Sequence, residues 1–389
     1  MTPAVKEEDA RAADPLDQIE AGAPTSQRDL GPMDLVDLVA EAVMDKIEER
    51  KHLDVFLDHV IARVGSWREE MGEAGLAVLP SEARRPEDPV PAAPDAPARS
   101  SGRHLFHRFE DDEFSALRTR ILVSCFRSGP AGGGIFELDF GANSYRQVVC
   151  CDARGIAKYG HGYIAASRDS GIFVLDENLA VVKNHPMAPL DLHGVACGPD
   201  DLVYLVETRH NRVGIYAMEP FERVGEIVVS PDATDRNHLN DICFRDGRLL
   251  LSMFSTQEFW RKNVEAKVFD GAIIEYDTEE KKPLRQIASG LKMPHTLKLV
   301  DGELCYCESF GLSVVRSEVR IAQFFGYTRG LDHDGRYFFV GQSGLRHRER
   351  HPELTVSGDA GVHILAQQEH LSRFVPLPTP DVYGILVLK

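Results

Sequence analysis

Three histidines each open a short apolar stretch of this chain: His193 in "LDLHGVACGPDDLVYLVE", His238 in "RNHLNDICFRDGRLLLSM" and His295 in "LKMPHTLKLVDGELCYCES". Imidazole titrates near neutrality, exchanges protons readily and ligates transition metals. Three such rings meeting at one point could hold zinc with an open position for water or substrate. With a carboxylate such as Glu207 or Glu308 added, the same set would suit manganese or iron. A metal-bound water would then act as base or nucleophile. The cofactor is thus left open, with a divalent metal (zinc, manganese or iron) on His193, His238 and His295 as one candidate.

Metal-free chemistry is the competing reading. A histidine base opposite Arg154 or Arg329 would suit abstraction of a proton beside a carboxylate, with the arginine holding the anion. Bland roles also stand open. His193 could bond a loop carbonyl, His238 could cap the "NHLND" turn, His295 could orient a strand entry, and Arg329 could brace a strand through carbonyls. Asp241 reads as a turn or inter-blade partner. His347 and His351 in "GLRHRERHPE" are four residues apart, but the interleaved arginines disfavour a cation there. That stretch reads as an anion-contacting lid or a plain solvated loop.

The histidines share a local pattern with three other sites, a polar residue, a second residue that is small in most copies, then an apolar one: "ARGIA" (Arg154), "LHGVA" (His193), "LNDIC" (Asn240), "PHTLK" (His295), "TRGLD" (Arg329) and "VYGIL" (Tyr383). The polar positions are 39, 47, 55, 34 and 54 residues apart, spacings centred on the repeat of a four-stranded propeller blade. Turns and second strands follow in "GHGYIAAS", "DDLVYLVE", "DGRLLLSM", "DGELCYCES" and "DGRYFFVGQ", with third strands in "GIFVLD", "RVGIYAM", "GAIIEYD" and "GVHILA". Six openings imply six blades. The last, "VYGILVLK", ends after one strand, so its partners are expected in "RILVSCFRS", "GGGIFELDF" and "YRQVVCC". The C-terminal strand would then close an all-β, six-bladed β-propeller spanning residues 104–389.

The motifs "DLHGVA", "HLNDICFRDGR", "MPHTLKLVDGEL", "GYTRGLDHDGRYFFVGQSGLRHRE" and "VYGILVL", in this order, resemble a conserved hypothetical bacterial β-propeller family, also described as a domain of unknown function. The resemblance covers roughly residues 115–389. It implies a propeller fold, no assigned reaction, and company with biosynthetic or glycan-related genes. The chain departs from the family pattern at Asp241, where a small residue is expected, and around Gln342, where "VGLS" and a basic-acidic pair are usual.

In a propeller the first strand of each blade lines the central channel, which brings all six polar positions to one mouth. The expected site is therefore His193, His238, His295 and Arg329 as catalytic groups, with Arg154, Asn240, Tyr383, Glu207, Glu308 and Arg168 as ligand-binding groups. Loops at 254–270 and 344–358 open on the same face and are long enough to cover a pocket. The expected ligand is a small polar molecule, anionic or hydroxylated and perhaps sugar-derived, converted by a lyase, hydrolase or isomerase. The alternative is a non-catalytic ligand-binding or interaction scaffold.

Upstream, residues 1–31 read as a disordered acidic tail. Residues 32–77 carry a helical stripe (Leu35, Val39, Val43, Ile47, then Val55 to Trp67), and residues 78–103 form a Pro/Ala-rich linker. Residues 33–75 are the expected element for homo-oligomer or protein contact. Residues 1–100 hold 22 Asp and Glu against 11 Lys and Arg, so they supply −11 of the net −17. The remainder is weakly acidic without a basic stripe, which argues against nucleic acid as a partner. No apolar run approaches the roughly 20 residues of a membrane span, and no signal peptide is evident, so the expected location is cytoplasmic. Seven cysteines do not suggest a disulfide framework and read as packed free thiols.

Overall fold

The computed structural model describes residues 113–126, 133–168, 170–231, 234–257, 259–344 and 348–388. The acidic tail, helical segment and linker expected within 1–103 lie outside those residues. Among the described residues, no helix is long and apolar enough to cross a membrane.

Among the described residues, twenty-four strands form six four-stranded antiparallel sheets. Blade 1 joins β1 (Arg120–Cys125), β2 (Gly134–Asp139) and β3 (Ser144–Val149) to the last strand of the chain, β24 (Val382–Leu388). Blade 2 is β4 (Ala153–Tyr159), β5 (Gly162–Ser167), β6 (Gly171–Leu175) and β7 (Val181–His185); blade 3 is β8 (Leu192–Cys197), β9 (Val203–Glu207), β10 (Arg212–Met218) and β11 (Phe221–Val228). Blade 4 is β12 (Leu239–Arg245), β13 (Arg248–Met253), β14 (Gly271–Asp277) and β15 (Lys282–Leu291), with helix α1 (Trp260–Ala266) between β13 and β14. Blade 5 is β16 (Pro294–Val300), β17 (Glu303–Glu308), β18 (Ser313–Arg316) and β19 (Val319–Gln323); blade 6 is β20 (Tyr327–His333), β21 (Tyr337–Ser343), β22 (Gly361–Ala366) and β23 (Leu371–Pro376). The innermost strands β24, β4, β8, β12, β16 and β20 neighbour one another in that order around the axis.

Strand position in the blade explains composition. Second strands such as β5 ("GYIAAS") and β21 ("YFFVGQS") are buried along their whole length because a neighbouring blade covers each face. Fourth strands face solvent, so β7 ("VVKNH") is exposed at all but its last residue. Period-2 alternation then divides the middle strands between two interfaces: Ile121 and Val123 pack toward blade 6, and Leu122 toward blade 2. The six inter-blade interfaces each hold one apolar cluster, and each fully buried Leu, Ile or Phe contributes about 1.5–3 kcal/mol.

The inner strands share one irregularity. In all six, the register shifts at the polar residue and its successor: Ala153/Ile156, Leu192/Val195, Leu239/Ile242, His295/Leu297, Thr328/Leu331 and, in blade 1, beside Tyr383. Such a bulge leaves residues outside the ladder and re-aims a side chain. Crowding at the axis explains the small residue. A Cβ on Gly155 would lie 2.5 Å from the His193 carbonyl oxygen, and one on Gly194 2.7 Å from Asp241 Cα. Where the glycine is absent, the side chain bonds the next blade: Asp241 Oδ2 accepts the Leu297 N–H (2.9 Å) and Thr296 Oγ1 accepts the Gly330 N–H (2.9 Å). The departure from the family pattern at Asp241 is thus an inter-blade staple.

A second staple recurs where a second strand ends. Thr208 Oγ1 donates to the Leu239 carbonyl (2.7 Å) and Ser309 Oγ to that of Thr328 (2.7 Å). Ser343 Oγ donates to the Val382 carbonyl (2.9 Å) and accepts the Val382 N–H (3.1 Å). The Ser343 contacts anchor the closing strand. Ser343→Ala should leave two buried backbone groups unpaired and destabilise the protein by about 1–3 kcal/mol, read as a lower urea midpoint with an unchanged slope. An unchanged midpoint would contradict the assignment of this contact to closure.

Candidate active site

The bulges deliver their polar side chains to one end of the channel. Tyr383 of blade 1 reaches blade 4, on the opposite side of the ring, where its hydroxyl donates to the Asn240 carbonyl (3.2 Å). Its ring lies between two imidazoles, with centroids 5.5 Å from His193 and 4.6 Å from His295. Phe126, just after β1, sits beside it at 6.2 Å. The guanidinium carbons of Arg154 and Arg329 lie 4.4 and 5.2 Å from the Phe126 centroid. The mouth therefore has two halves. Blades 6, 1 and 2 supply two arginines around a phenyl ring, and blades 3, 4 and 5 supply imidazoles and Asn240.

Electrostatics differ between the imidazoles. His193 Nδ1 contacts Asn240 Oδ1 (3.1 Å) and its Nε2 faces Asp191 (3.7 Å). Burial lowers its pKa to about 4 despite Asp191, so the ring is neutral at pH 7. Burial and the charges of Arg329 and the neighbouring rings hold His295 well below its ordinary value, and its Nδ1 contacts Thr296 Oγ1 (3.2 Å). Burial likewise keeps the Tyr383 phenol protonated. Asp191 is tied to Arg168 Nε (3.4 Å). Burial alone would raise its carboxyl, but His193 and Arg154 hold it below the usual range.

His238 is arranged differently. Its Nδ1 lies 2.8 Å from Asp235 Oδ2, and the same oxygen accepts the Trp260 Nε1–H at 3.0 Å. Burial alone would raise the Asp235 carboxyl, but His238, Arg261 and the Trp260 N–H together lower it, so it is an ionised acceptor. An acceptor-only carboxylate requires the proton on Nδ1 and leaves Nε2 as the basic nitrogen. The ring is held between Phe254 (4.5 Å) and Trp260 (4.4 Å) and lies 5.1 Å from His193. Its backbone is left-handed (φ +48°), a conformation that costs energy for a residue with a side chain and persists where surroundings enforce it.

That enforcement comes from Asn211, a fully buried residue of blade 3. Its Oδ1 accepts the N–H groups of Arg236 (3.1 Å) and Asn237 (3.0 Å), and its Nδ2 donates to the Thr234 carbonyl. Asn237 in turn donates to the Ser255 carbonyl (2.9 Å). Asp270 Oδ2 accepts from Ser255 Oγ (3.0 Å) and the N–H groups of Thr256 (3.0 Å) and Gln257 (3.1 Å). Asn263 of α1 donates to Ser255 Oγ (3.2 Å) and to Asp270. The loop bearing His238 and the helix bearing Trp260 are thereby one hydrogen-bonded unit.

The described residues do not assemble the expected three-histidine metal centre. Among the described residues, no group of three or more His, Cys, Asp or Glu side chains is placed to hold an ion. The reason is local: His193 is engaged at both nitrogens, Tyr383 stands between His193 and His295, and two guanidiniums share the space. Nor do Glu207 and Glu308 join the histidines. Glu207 is drawn into blade 3 by Arg212 (2.6 Å), Tyr216 (2.6 Å) and Arg223, while Glu308 accepts the Lys292 N–H (2.9 Å). His351 packs on Phe310 (4.4 Å), and His347 lies outside the described residues. All seven cysteines are free.

Asp152, Asp191, Asp235, Phe126, Asn211 and Trp260 are site residues that the strand-opening pattern does not single out. A signal for two of them exists: "CDARG", "LDLHG" and "PDVYG" place an aspartate two residues before the polar position in blades 2, 3 and 1.

In comparisons with known proteins, a search of curated proteins gave no match. A solved structure of a protein of unknown function from Bacteroides caccae shares 10% identity at a TM-score of 0.51, covering 70% of this chain and 99% of that one. A gluconolactonase from Xanthomonas campestris (14% identity, TM-score 0.40, 60% and 78% covered) and virginiamycin B lyase from Staphylococcus aureus (12%, 0.38, 60% and 73%) are also similar. At these identities the likeness concerns the fold alone. The family described as "Domain of unknown function (DUF4915)" matches residues 175–371, from the third strand of blade 2 to the last of blade 6. That match takes in half of the sequence, and the chain belongs to this β-propeller family.

Proposed function

We propose that the protein is a metal-independent enzyme of cytoplasmic metabolism that removes a proton from a small polar metabolite, as the first step of a lyase or isomerase reaction. The observation that carries this reading is the Asp235–His238 pair. The carboxylate fixes the tautomer that leaves Nε2 basic and stabilises the imidazolium formed when the proton arrives. Trp260 and Phe254 hold the ring in place, which a base needs in order to meet its proton in a reactive geometry. His193 and His295, kept neutral, do not oppose the charge that develops on His238. A plain binding platform has no need of an imidazole oriented by a carboxylate and held in a left-handed backbone.

The expected outcome is exchange of one carbon-bound proton for deuterium, followed by proton NMR in heavy water over a panel of small hydroxy acids, sugar acids and lactones. His238→Gln should slow exchange by about 10²–10⁴-fold. Dialysis against a chelator should leave the rate unchanged. Exchange by His238→Gln at the native rate would eliminate this base.

The neutral histidines also set a pH dependence of stability. His193 has a folded pKa of about 4 against an ordinary value of 6.5, so the unfolded chain takes up the proton first. Its contribution to stability is complete above about pH 6.5 and is lost as the pH falls toward 4, to a total on the order of 3 kcal/mol; His295 acts in the same direction. Asp191, a depressed carboxylate, adds its own loss only below its ordinary value near 3.8. Urea midpoints should therefore decline between pH 7 and pH 4.5, and a flat profile would show that these rings are not buried neutral.

A further inference from the structure

The arginine half of the mouth identifies what the base acts on. Arg154 is 7% exposed, and its one ion pair joins Nε to Asp152 at 3.2 Å. That Nε is buried and makes no hydrogen bond of good geometry among the described residues, and a buried donor without an acceptor is costly and uncommon. Stacking against Phe126 at 4.4 Å, with Tyr383 at 5.6 Å, fixes the guanidinium plane and leaves its edge for an acceptor lying in that plane. Arg329, over the same phenyl ring at 5.2 Å and 5.8 Å from Tyr327, brings a second positive charge to the same place.

We infer that Arg154 and Arg329, spaced by Phe126, form a carboxylate-binding subsite, so that the substrate class is a carboxylic acid whose reacting C–H is on the carbon bonded to the carboxylate. Carboxylate is the group whose two coplanar oxygens match a guanidinium edge. Tyr383, 5.6 Å from the Arg154 guanidinium, stands between it and the rings of His193 and His295. The inference rests on the base reading only for the reacting end. There the C–H bond breaks, the proton passes to His238 Nε2, and the electron pair spreads into the carboxylate as an enediolate. The two guanidiniums meet that added charge where it develops.

The test uses the full chain with lactate and malonate as probes and lactamide and malonamide as uncharged counterparts. The acids should raise the melting temperature and the amides should not. By calorimetry Arg154→Gln should weaken acid binding by about 10–100-fold. Arg329→Gln serves as a second variant should Arg154→Gln fail to fold, and each variant's fold is checked by circular dichroism. His238→Gln should bind the acids as the native protein does. Equal stabilisation by acids and amides, stabilisation by neither, or native acid affinity in a folded Arg154→Gln or Arg329→Gln protein would overturn the subsite. Charge-selective binding by a protein that exchanges no C–H would sustain the subsite and remove the base reading.

Discussion

Pairing of β24 with β1 is the constraint on which the rest of the structure depends. Its antiparallel ladder runs from Arg120 opposite Leu388 to Cys125 opposite Val382. It joins segments some 260 residues apart, yet closure entropy grows only logarithmically with loop length, so the separation adds little beyond that of a much shorter loop. In return the ring has no unpaired blade face, and the cluster around Phe339, Val362, Ile121 and Phe136 becomes interior. Closure also has a chemical consequence. Phe126 and Tyr383 come from the two ends of the described chain, and only in the closed ring do they stand between residues of blades 2 and 6.

One local device then serves packing and chemistry together. The bulge in each inner strand lets six backbones approach the axis, which is why glycine follows the polar residue in four blades and why Asp241 and Thr296 must bond the next blade in the other two. The same bulge turns the preceding side chain toward the mouth. Burying arginines and histidines there is unfavourable unless they are neutral, paired or stacked. All three solutions occur: neutral rings at His193 and His295, an ion pair at Arg154–Asp152, and guanidiniums over Phe126. Function and stability are therefore coupled at the axis.

Much of this was legible in the sequence because it repeats. Six copies of one pattern at blade spacing predicted the ring, its closure by "VYGIL" and a shared mouth, and His193, Asn240, His295, Arg329, Arg154 and Tyr383 do lie together there. What was not legible depends on neighbours far along the chain or on loops without periodicity. Glu207 ends a second strand and was expected near the histidines, but Arg212 and Arg223, on the next strands of its own blade, draw it away. Three histidines converging by register also resembled a metal set, and only the placement of Asp191, Asn240 and Tyr383 shows that both His193 nitrogens are engaged and that a phenol ring stands between His193 and His295. Asp235 sits in a loop and Trp260 opens the seven-residue helix α1, where neither strand nor helix spacing marks a position.

On the proposed reading, the symmetry of the ring explains why the base belongs to one blade. A polar residue placed by the bulge is surrounded by equivalent neighbours and becomes buried, as His193 and His295 are, and a buried neutral ring is a poor proton acceptor. His238 precedes the bulge position, sits on a loop held by Asn211 and is less buried than His193 or His295. There its own carboxylate can reach it, and α1 can cover it. The long β13–β14 connection, which carries α1, gives His238 surroundings that the six bulge positions lack. A site of this kind can arise in a propeller only where the repeat is broken, because chemistry requires one group whose environment differs from the other five.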